Sequence, residues 1–261
     1  MEGGPSDLSR LDRWGGAEAE RRGEFRAGIS IQAKIGLGSF LRGSFLPEES
    51  ISGASAPSAV RHFASEGMET ITLRRATAED APALALTGAA TFLEAFTWML
   101  PGPDIVAHTR KHHAAEVYAR YLAEPGARVT LAVTGPAVGC PDQPGSVVGY
   151  VLICSPELPS FPVLPTDVEL KRIYLFSRFR LAPVLDAAGR IIANLRPAPA
   201  LLDAALADAR ALGGSRLLLG THAGNSRAIA FYRRNGFREV GTRLFQVGSL
   251  QCSDLIFARQ L

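Results

Sequence analysis

The sequence predicts a mixed α/β domain between about residue 71 and the C-terminus. Segments that alternate apolar and polar residues are typical of strands, and segments with apolar residues at helical spacing are typical of helices. Stretches rich in glycine and proline separate these segments, as expected for turns and loops. The predicted order is a strand, two helices, three strands, a helix, a strand, a helix and two strands, which is typical of a sheet with flanking helices.

Local signals place each element in turn. Thr77 and Asp80 have N-cap character and begin the first helix after a short alternating strand. A turn rich in glycine and proline at 135–145 joins two strands, and a proline-rich loop at 156–165 precedes the next strand. A Gly-Gly pair at 213–214 ends a later helix. The predicted strands are 71–75, 128–133, 147–154, 168–176, 216–220, 237–247 and 251–258, and the predicted helices are 81–90, 104–123, 198–212 and the one that begins after Asn225.

Composition and charge exclude several functional classes. The net charge of +3 over 261 residues is too small and too scattered for a nucleic-acid-binding protein. Cys140, Cys154 and Cys252 form no C-x-x-C pair, which favours small core residues over a disulfide framework or a zinc site. No apolar run reaches the length of a membrane span, and the N-terminus lacks the pattern of a signal peptide. We therefore expect a cytoplasmic protein with no membrane partner.

Composition changes near residue 68. Residues 1–67 mix glycine, serine, glutamate and arginine with only short apolar patches, which predicts a disordered N-terminal extension. Met68 lies shortly before the first predicted strand and is a candidate functional start. The sequence thus predicts one domain, at 68–261.

Residues 225–237 form the most informative motif of the chain. Asn225 is a suitable helix N-cap, Gly236 provides a left-handed C-terminal stop, and Phe237 begins an apolar–polar alternation. Such a helix sets Tyr232 at the end of a cleft, where a phenol can act as an acid; an ordinary amphipathic helix with a partly buried tyrosine is the alternative. The pattern N-x-x-A-x-x-F-Y-x-x-x-G-F resembles the last conserved motif of the GNAT acetyltransferase superfamily.

The resemblance extends to the order of elements and covers about 71–261. It implies a mixed, mostly antiparallel central sheet whose fourth and fifth strands splay apart, and acetyl-CoA as co-substrate with no metal. In that family the tyrosine protonates the departing thiolate of coenzyme A, the role that the resemblance implies for Tyr232. The fourth strand holds the pantetheine arm by main-chain hydrogen bonds, here at Ile173 and Leu175. Its imperfect alternation fits a bulge or a splay, and a plain core strand is the alternative.

Two side chains are candidates for taking a proton from the amine. Glu169 begins the fourth strand, where a carboxylate facing a cleft can accept a proton from an ammonium group. Lys171 and Arg172 follow it at once, so a solvated surface charge is the alternative. His222 ends the next predicted strand, near the cleft, although a single histidine is usually structural.

The expected phosphate-binding loop departs from the family pattern. Family members carry R/Q-x-x-G-x-G/A after the fourth strand, where glycine amides converge on a pyrophosphate. Here Arg178 and Arg180 are present, but Leu-Ala-Pro stands where the glycines are expected. The next helix follows only after an insertion near 181–196, which we expect to lie as a helix or loop above the cofactor cleft. Arg178 and Arg180, as point charges, and Asn225 are the predicted cofactor-binding side chains.

One spacing could suit a metal. His108, His112 and Glu116 recur every four residues on one face of a predicted helix. A polar outer helix face explains the same spacing, and no metal site is predicted.

Weaker similarities point to the bacterial polyamine N-acetyltransferase branch. They imply a small amine such as spermidine as acceptor, with Glu94, Glu169 and Asp254 as sources of negative charge. The expected function is transfer of an acetyl group from acetyl-CoA to a primary amine of a small molecule, in a ternary complex, by a chain that could form a homodimer. The alternative is a non-catalytic GNAT-like binding or regulatory module with a degenerate pyrophosphate loop. The segments with this similarity are 91–101, 169–174, 241–248 and 254–257.

Overall fold

A mixed sheet of eight strands runs through the structure, a computed structural model that describes residues 69–136, 140–158, 161–247 and 250–261. The strands are β1 (Ile71–Arg75), β2 (Arg128–Thr134), β3 (Val147–Cys154), β4 (Asp167–Leu175), β5 (Val184–Leu185), β6 (Arg216–His222), β7 (Arg238–Val247) and β8 (Leu250–Gln260). The helices are α1 (Ala81–Phe96), α2 (Gly102–His112), α3 (Ala115–Ala123), α4 (Pro197–Ala211) and α5 (Ser226–Arg234). The strand order across the sheet is β5-β1-β2-β3-β4-β6-β8-β7.

Most neighbouring strands are antiparallel, and only β1–β5 and β4–β6 are parallel. Helices flank the sheet on both faces. This confirms the predicted fold class, a mixed and mostly antiparallel sheet between helices.

Alternation along β3 divides the core into two layers. Val151 and Ile153 pack with α4 and α5, whose contributions include Leu201 and Tyr232. Tyr150 and Leu152 point to the other face and pack with α1 and α3. Because successive side chains of a strand point to opposite faces, one buried strand supplies both layers.

The strands β4 and β6 are adjacent at only one end. Asp167, Val168 and Glu169 pair with Arg216, Leu217 and Leu218, and no pairing continues beyond them. The rest of β4 pairs with β3 alone, from Leu170 to Leu175. A gap therefore opens between the C-terminal halves of β4 and β6, which are the fourth and fifth strands predicted from the sequence.

A β-bulge lies in β4 where the gap begins. Leu152 and Ile153 of β3 face Arg172 and Leu170, so that Lys171 has no partner of its own. The extra residue shifts the alternation of the strand, which explains the irregular apolar pattern seen in the sequence.

The predicted helix at 104–123 is two helices, α2 and α3. The chain leaves helical geometry at His113 (φ −123°, ψ 21°) and is extended at Ala114 (φ −72°, ψ 152°). Neither glycine nor proline causes this break. It is accompanied by a hydrogen bond between His113 Nδ1 and Tyr118 Oη of 2.7 Å, buried in the core.

The segment 181–196 does not lie as a helix above the cleft. Val184 and Leu185 form β5, which extends the sheet beside β1, and Ile191 bridges back to Leu185. This position is at the sheet edge beyond β1, and three strands separate it from β4. The segment is therefore a short strand with loops rather than a helix, and its last residue, Arg196, lines the cleft.

The predicted disordered extension at 1–67 lies outside the described residues. Within the described part of the chain, no helix combines the length and apolar character that a membrane crossing requires.

Candidate active site

The gap between β4 and β6 is the centre of a cleft of about 860 Å³. One side of the cleft is formed by residues of α4 and α5, such as Pro199 and Tyr232. The other side is formed by residues of α1, α2 and α3, such as Phe92, His108 and Tyr121. Since these two groups of helices pack on opposite faces, the cleft passes through the sheet.

The polar backbone groups of β4 are divided between β3 and the gap. The Phe176 amide donates to Val148 O of β3 at 3.1 Å. Because successive residues of a strand direct their N–H and C=O groups to opposite sides, those of Leu175 and Ile173 point into the gap. Both residues also line the cleft. The edge of β4 thus offers free main-chain donors and acceptors.

Tyr232 lies beside this edge. Its side chain is 7% exposed and packs against Phe231 and Phe237. Burial raises the pKa of the phenol above its ordinary value, so the hydroxyl carries its proton at physiological pH. The hydroxyl has no hydrogen-bond partner among the residues that the structure describes. It is therefore a protonated donor with its hydrogen-bonding capacity unused.

Glu169 lies at the closed end of the gap, in the last residue pair that joins β4 to β6. The side chain is buried, and its carboxylate accepts a hydrogen bond of 2.6 Å from the Glu157 amide. Lys171 Nζ lies 3.4 Å from the other oxygen. The carboxylate lines the cleft but is held by these two contacts, and so is not the solvated surface charge that was the alternative.

The helix α5 is capped as its sequence predicts. The Asn225 side chain accepts a hydrogen bond of 3.1 Å from the Ala228 amide. Gly236 follows the helix with a φ of +80°, a backbone angle that only glycine adopts without strain. The cap places Asn225 in the wall of the cleft, while its side-chain oxygen is already used by the helix.

The start of α4 offers few backbone donors for a phosphate. Arg196 is the N-cap, and Pro197 and Pro199 occupy the first and third helical positions, where they have no N–H group. Three arginine side chains line the cleft instead, those of Arg196, Arg180 of the preceding loop and Arg227 of α5. Positive charge at this end comes from guanidinium groups rather than from converging amides.

Arg178 lies apart from the other predicted site residues. Its Nη2 atom is 2.7 Å from both carboxylate oxygens of Glu69, and its guanidinium lies over the Phe179 ring. It does not contribute to the lining of the cleft. Six of the predicted residues do line it together: Tyr232, Glu169, Ile173, Leu175, Arg180 and Asn225.

The histidines predicted on an outer helix face are inside. His108 is buried and stacks on Phe92 at 4.2 Å between ring centres, and Glu116 belongs to the next helix. Burial, followed by neighbouring cations, lowers the pKa of His108 to about 3 and that of His112 to about 4. Both rings are therefore neutral at physiological pH. No cluster of three or more metal-binding side chains occurs in the described part of the chain.

Several lining residues escaped the sequence analysis. Arg196 directly precedes a Pro-x-Pro helix start, a position that could have been recognised as the N-cap of α4. Arg172 and Tyr174 could have been found from the alternation of β4, because both face away from Ile173 and Leu175. His222, considered from the sequence, does line the cleft, with Nδ1 accepting from the Gly224 amide at 3.0 Å.

Comparisons with known proteins agree with this geometry. The model of the acetyltransferase (GNAT) family matches residues 198–237, which span α4 to the end of α5. N-acetyltransferases of Mycobacterium bovis and Mycobacterium tuberculosis, each described as uncharacterized, are 28% identical to the chain over 182 residues. The match covers 70% of this chain and 98% of each relative.

Two solved structures have the same fold. PaiA N-acetyltransferase from Thermoplasma acidophilum, in complex with coenzyme A, has a TM-score of 0.53 and 17% identity, covering 74% of this chain and 99% of its own. A GCN5-related N-acetyltransferase from Rhodopseudomonas palustris has a TM-score of 0.51 and 16% identity, covering 74% and 98%. At these identities the two structures show that the chain has their fold.

Proposed function

We propose that this chain, as an acetyltransferase of the GNAT superfamily, transfers the acetyl group of acetyl-CoA to a primary amine of a small molecule by direct attack in a ternary complex. One observation carries the proposal. The strands β4 and β6 part after three residue pairs, and the buried Tyr232 hydroxyl lies beside the gap with no partner among the described residues.

The free edge of β4 suits the pantetheine arm of acetyl-CoA. This arm contains two amide groups, which can pair with a strand edge as a peptide does. The main-chain groups of Ile173 and Leu175 supply the matching donors and acceptors. Arg180, Arg196 and Arg227 line the same cleft, where they would bind the phosphates by charge-assisted hydrogen bonds.

The reaction then needs two proton transfers. The amine nitrogen attacks the thioester carbon, a C–N bond forms, and the C–S bond breaks as the intermediate collapses. The sulfur leaves as a thiolate and takes the proton of Tyr232 Oη. The proton lost by the amine passes to a base, for which Glu169 is our candidate, through water because its carboxylate is held by Glu157 and Lys171.

A polyamine acceptor stays a prediction. The charges of the cleft do not favour binding of a polycation. Glu94 accepts hydrogen bonds from the Ser177 amide and hydroxyl, and Asp254 pairs with Arg243. Lysine and arginine side chains outnumber carboxylates along the lining. A polycation would therefore meet few unpaired acids and several cations.

Calorimetry and steady-state kinetics on the full-length chain test the proposal. We expect acetyl-CoA to bind, and Tyr232→Phe to lower kcat by about 10²–10⁴-fold, the usual contribution of a general acid. Tyr118→Phe is the matched control, because its hydroxyl is buried outside the cleft. Absence of acetyl-CoA binding at millimolar concentration would overturn the proposal, as would equal kcat values for the wild type and Tyr232→Phe.

The proline-rich start of α4 favours a second candidate, a module that binds a ligand without catalysis. Pro197 and Pro199 remove two amides from the position where phosphates are expected to bind. If arginine side chains replace these contacts, acetyl-CoA should still bind tightly. Binding of acetyl-CoA without turnover over a broad panel of amines would support this second candidate.

A further inference from the structure

The acceptor side of the cleft is formed by α2, α3, β4 and the loop before β4. Its lining cations are Lys111, Arg120, Lys171 and Arg172, and its lining carboxylates are Glu157 and Glu169. Lys171 contacts both carboxylates, at 2.9 Å and 3.4 Å. We call the other three cations the cationic wall: Lys111, Arg120 and Arg172.

Arg172 is the central residue of the cationic wall. Its guanidinium packs between the rings of Tyr118 and Tyr121, with its carbon 5.3 Å and 5.6 Å from the ring centres. Nη2 donates a hydrogen bond of 3.0 Å to His112 O. Nη1 is buried and has no partner among the described residues. The guanidinium thus keeps an unused donor, and its side chain lines the cleft.

Of the described carboxylates, Glu157 interacts electrostatically with Arg120, but none is paired with Arg172 or Lys111. No ion pair joins Lys111, Arg120 or Arg172 to any acid in the part of the chain that the structure describes. For Arg172, whose Nη1 atom is buried, the lack of an anion is unfavourable, because the charge has lost hydration and gained no counter-charge. Such an arrangement is typical of a site that a charged ligand completes.

The histidines between these cations do not balance them. His112 lies between Arg172 and Lys111, and burial with these charges keeps its ring neutral at physiological pH. His113 and His108 are neutral for the same reasons. The positive charge of the wall is therefore carried by its lysine and arginine side chains and not by histidine.

We propose that the acceptor amine carries a carboxylate, as an amino acid does, and that Arg172 and Lys111 bind this carboxylate while the amine faces the gap between β4 and β6. The proposal rests on the proposed function, since it specifies the acceptor of that same site. A guanidinium suits a carboxylate because its N–H groups donate charge-assisted hydrogen bonds, and Nη1 of Arg172 has no partner among the described residues. Lys111 is exposed at the rim of the cleft, where it adds charge to attract the anion.

A matched acceptor panel tests the proposal. Full-length chain and acetyl-CoA are mixed with L-amino acids, with their carboxamides and with spermidine, and thiol release is followed. The amine of a carboxamide is less basic than that of the free acid, so intrinsic reactivity at neutral pH favours the carboxamide. We expect instead that at least one amino acid has a kcat/KM about 10- to 100-fold above its carboxamide, as one charged hydrogen bond allows.

Variants connect this preference to the cationic wall. Arg172→Gln should lower the ratio of kcat/KM for the amino acid to kcat/KM for its carboxamide by about 10- to 100-fold. Lys111→Gln should shift the preference in the same direction. Because Lys111 is exposed, this variant should fold and can replace Arg172→Gln if that variant does not fold. Arg210→Gln, at the exposed end of α4, is the control for losing one positive charge and should change neither value.

Acetyl-CoA binding by calorimetry separates the two proposals. If acetyl-CoA binds but no amino acid is acetylated faster than its carboxamide, the carboxylate acceptor is overturned and the acetyltransferase proposal stands. An unchanged preference in both Arg172→Gln and Lys111→Gln would also overturn it. Absence of acetyl-CoA binding would overturn both proposals together.

Discussion

Asp167 and Arg216 form a two-point ion pair across the closed end of the gap between β4 and β6. Arg216 Nε and Nη2 donate to the two carboxylate oxygens at 2.9 Å and 2.6 Å. The same two residues are the first partners in the backbone pairing of these strands. The Leu164 amide adds a hydrogen bond of 2.7 Å to Oδ2. Side chains and backbone thus join the strands at one end only.

The first prediction concerns this ion pair. Asp167→Ala should lower the free energy of unfolding by about 1–3 kcal/mol, because the partly buried Arg216 loses two charge-assisted hydrogen bonds. Urea denaturation measures the change. Glu239→Gln breaks an exposed pair with Arg233 and serves as the control, for which we expect little change. Similar midpoints for the wild type and Asp167→Ala would contradict this reading of the pair.

The second prediction concerns stability at mildly acidic pH. Burial and nearby cations lower the pKa of His113 to about 2 and that of His108 to about 3. Between these values and the ordinary pKa of about 6.5, the unfolded chain binds protons that the folded chain does not, so acidification destabilises the fold. Each histidine should remove about 2 kcal/mol between pH 7 and pH 5.

Urea denaturation at pH 7 and pH 5 measures this effect. His113→Gln should show a smaller loss of stability between the two pH values than the wild type, by about the contribution of one histidine. An equal loss in both proteins would mean that His113 is charged in the folded state.

The third prediction concerns the cap of α5. Asn225→Ala should cost about 0.5–2 kcal/mol of stability, because the Ala228 amide loses its acceptor. Asn225→Ser keeps a neutral oxygen acceptor and should retain most of the stability. Since α5 forms one wall of the cleft, acetyl-CoA should bind less tightly to Asn225→Ala than to Asn225→Ser, as calorimetry would show. The reverse order would argue that the cap has no part in shaping the cleft.

The fourth prediction separates two buried tyrosines. Tyr118 Oη lies 2.7 Å from His113 Nδ1 and 2.5 Å from Tyr150 Oη, so Tyr118→Phe should cost about 1–3 kcal/mol of stability. Tyr232 Oη has no such partner among the described residues, and Tyr232→Phe should change stability by less than about 0.5 kcal/mol. Thermal unfolding of both variants measures this difference. A large loss of stability in Tyr232→Phe would indicate that its hydroxyl is structural.

The sequence predicted most accurately where local chemistry decides the structure. Asn225 caps α5 and Gly236 ends it, as their side chains alone indicate. The parting of β4 from β6 came instead from a family resemblance, because no residue between 170 and 175 shows by itself which neighbour is missing. The bulge at Lys171 was visible only as an irregular pattern.

Long-range contacts account for what the sequence did not show. The break between α2 and α3 coincides with the hydrogen bond between His113 and Tyr118, and helix propensity cannot predict such a contact. The strand β5 has two residues, too few for a periodic pattern, and exists because β1 leaves an edge free. From the sequence, a charged residue such as Arg172 is expected at the surface. In the structure, its guanidinium packs against the rings of Tyr118 and Tyr121.

Because the cleft passes through the sheet, its shape affects the order in which substrates bind and products leave. Arginines of the α4–α5 face and side chains of α2 and α3 line opposite sides of one cleft. The donor and the nucleophile would then arrive from opposite directions, and neither would have to leave before the other entered. Initial-velocity lines should therefore intersect, and acetylated product and spent thiol should each be free to depart first.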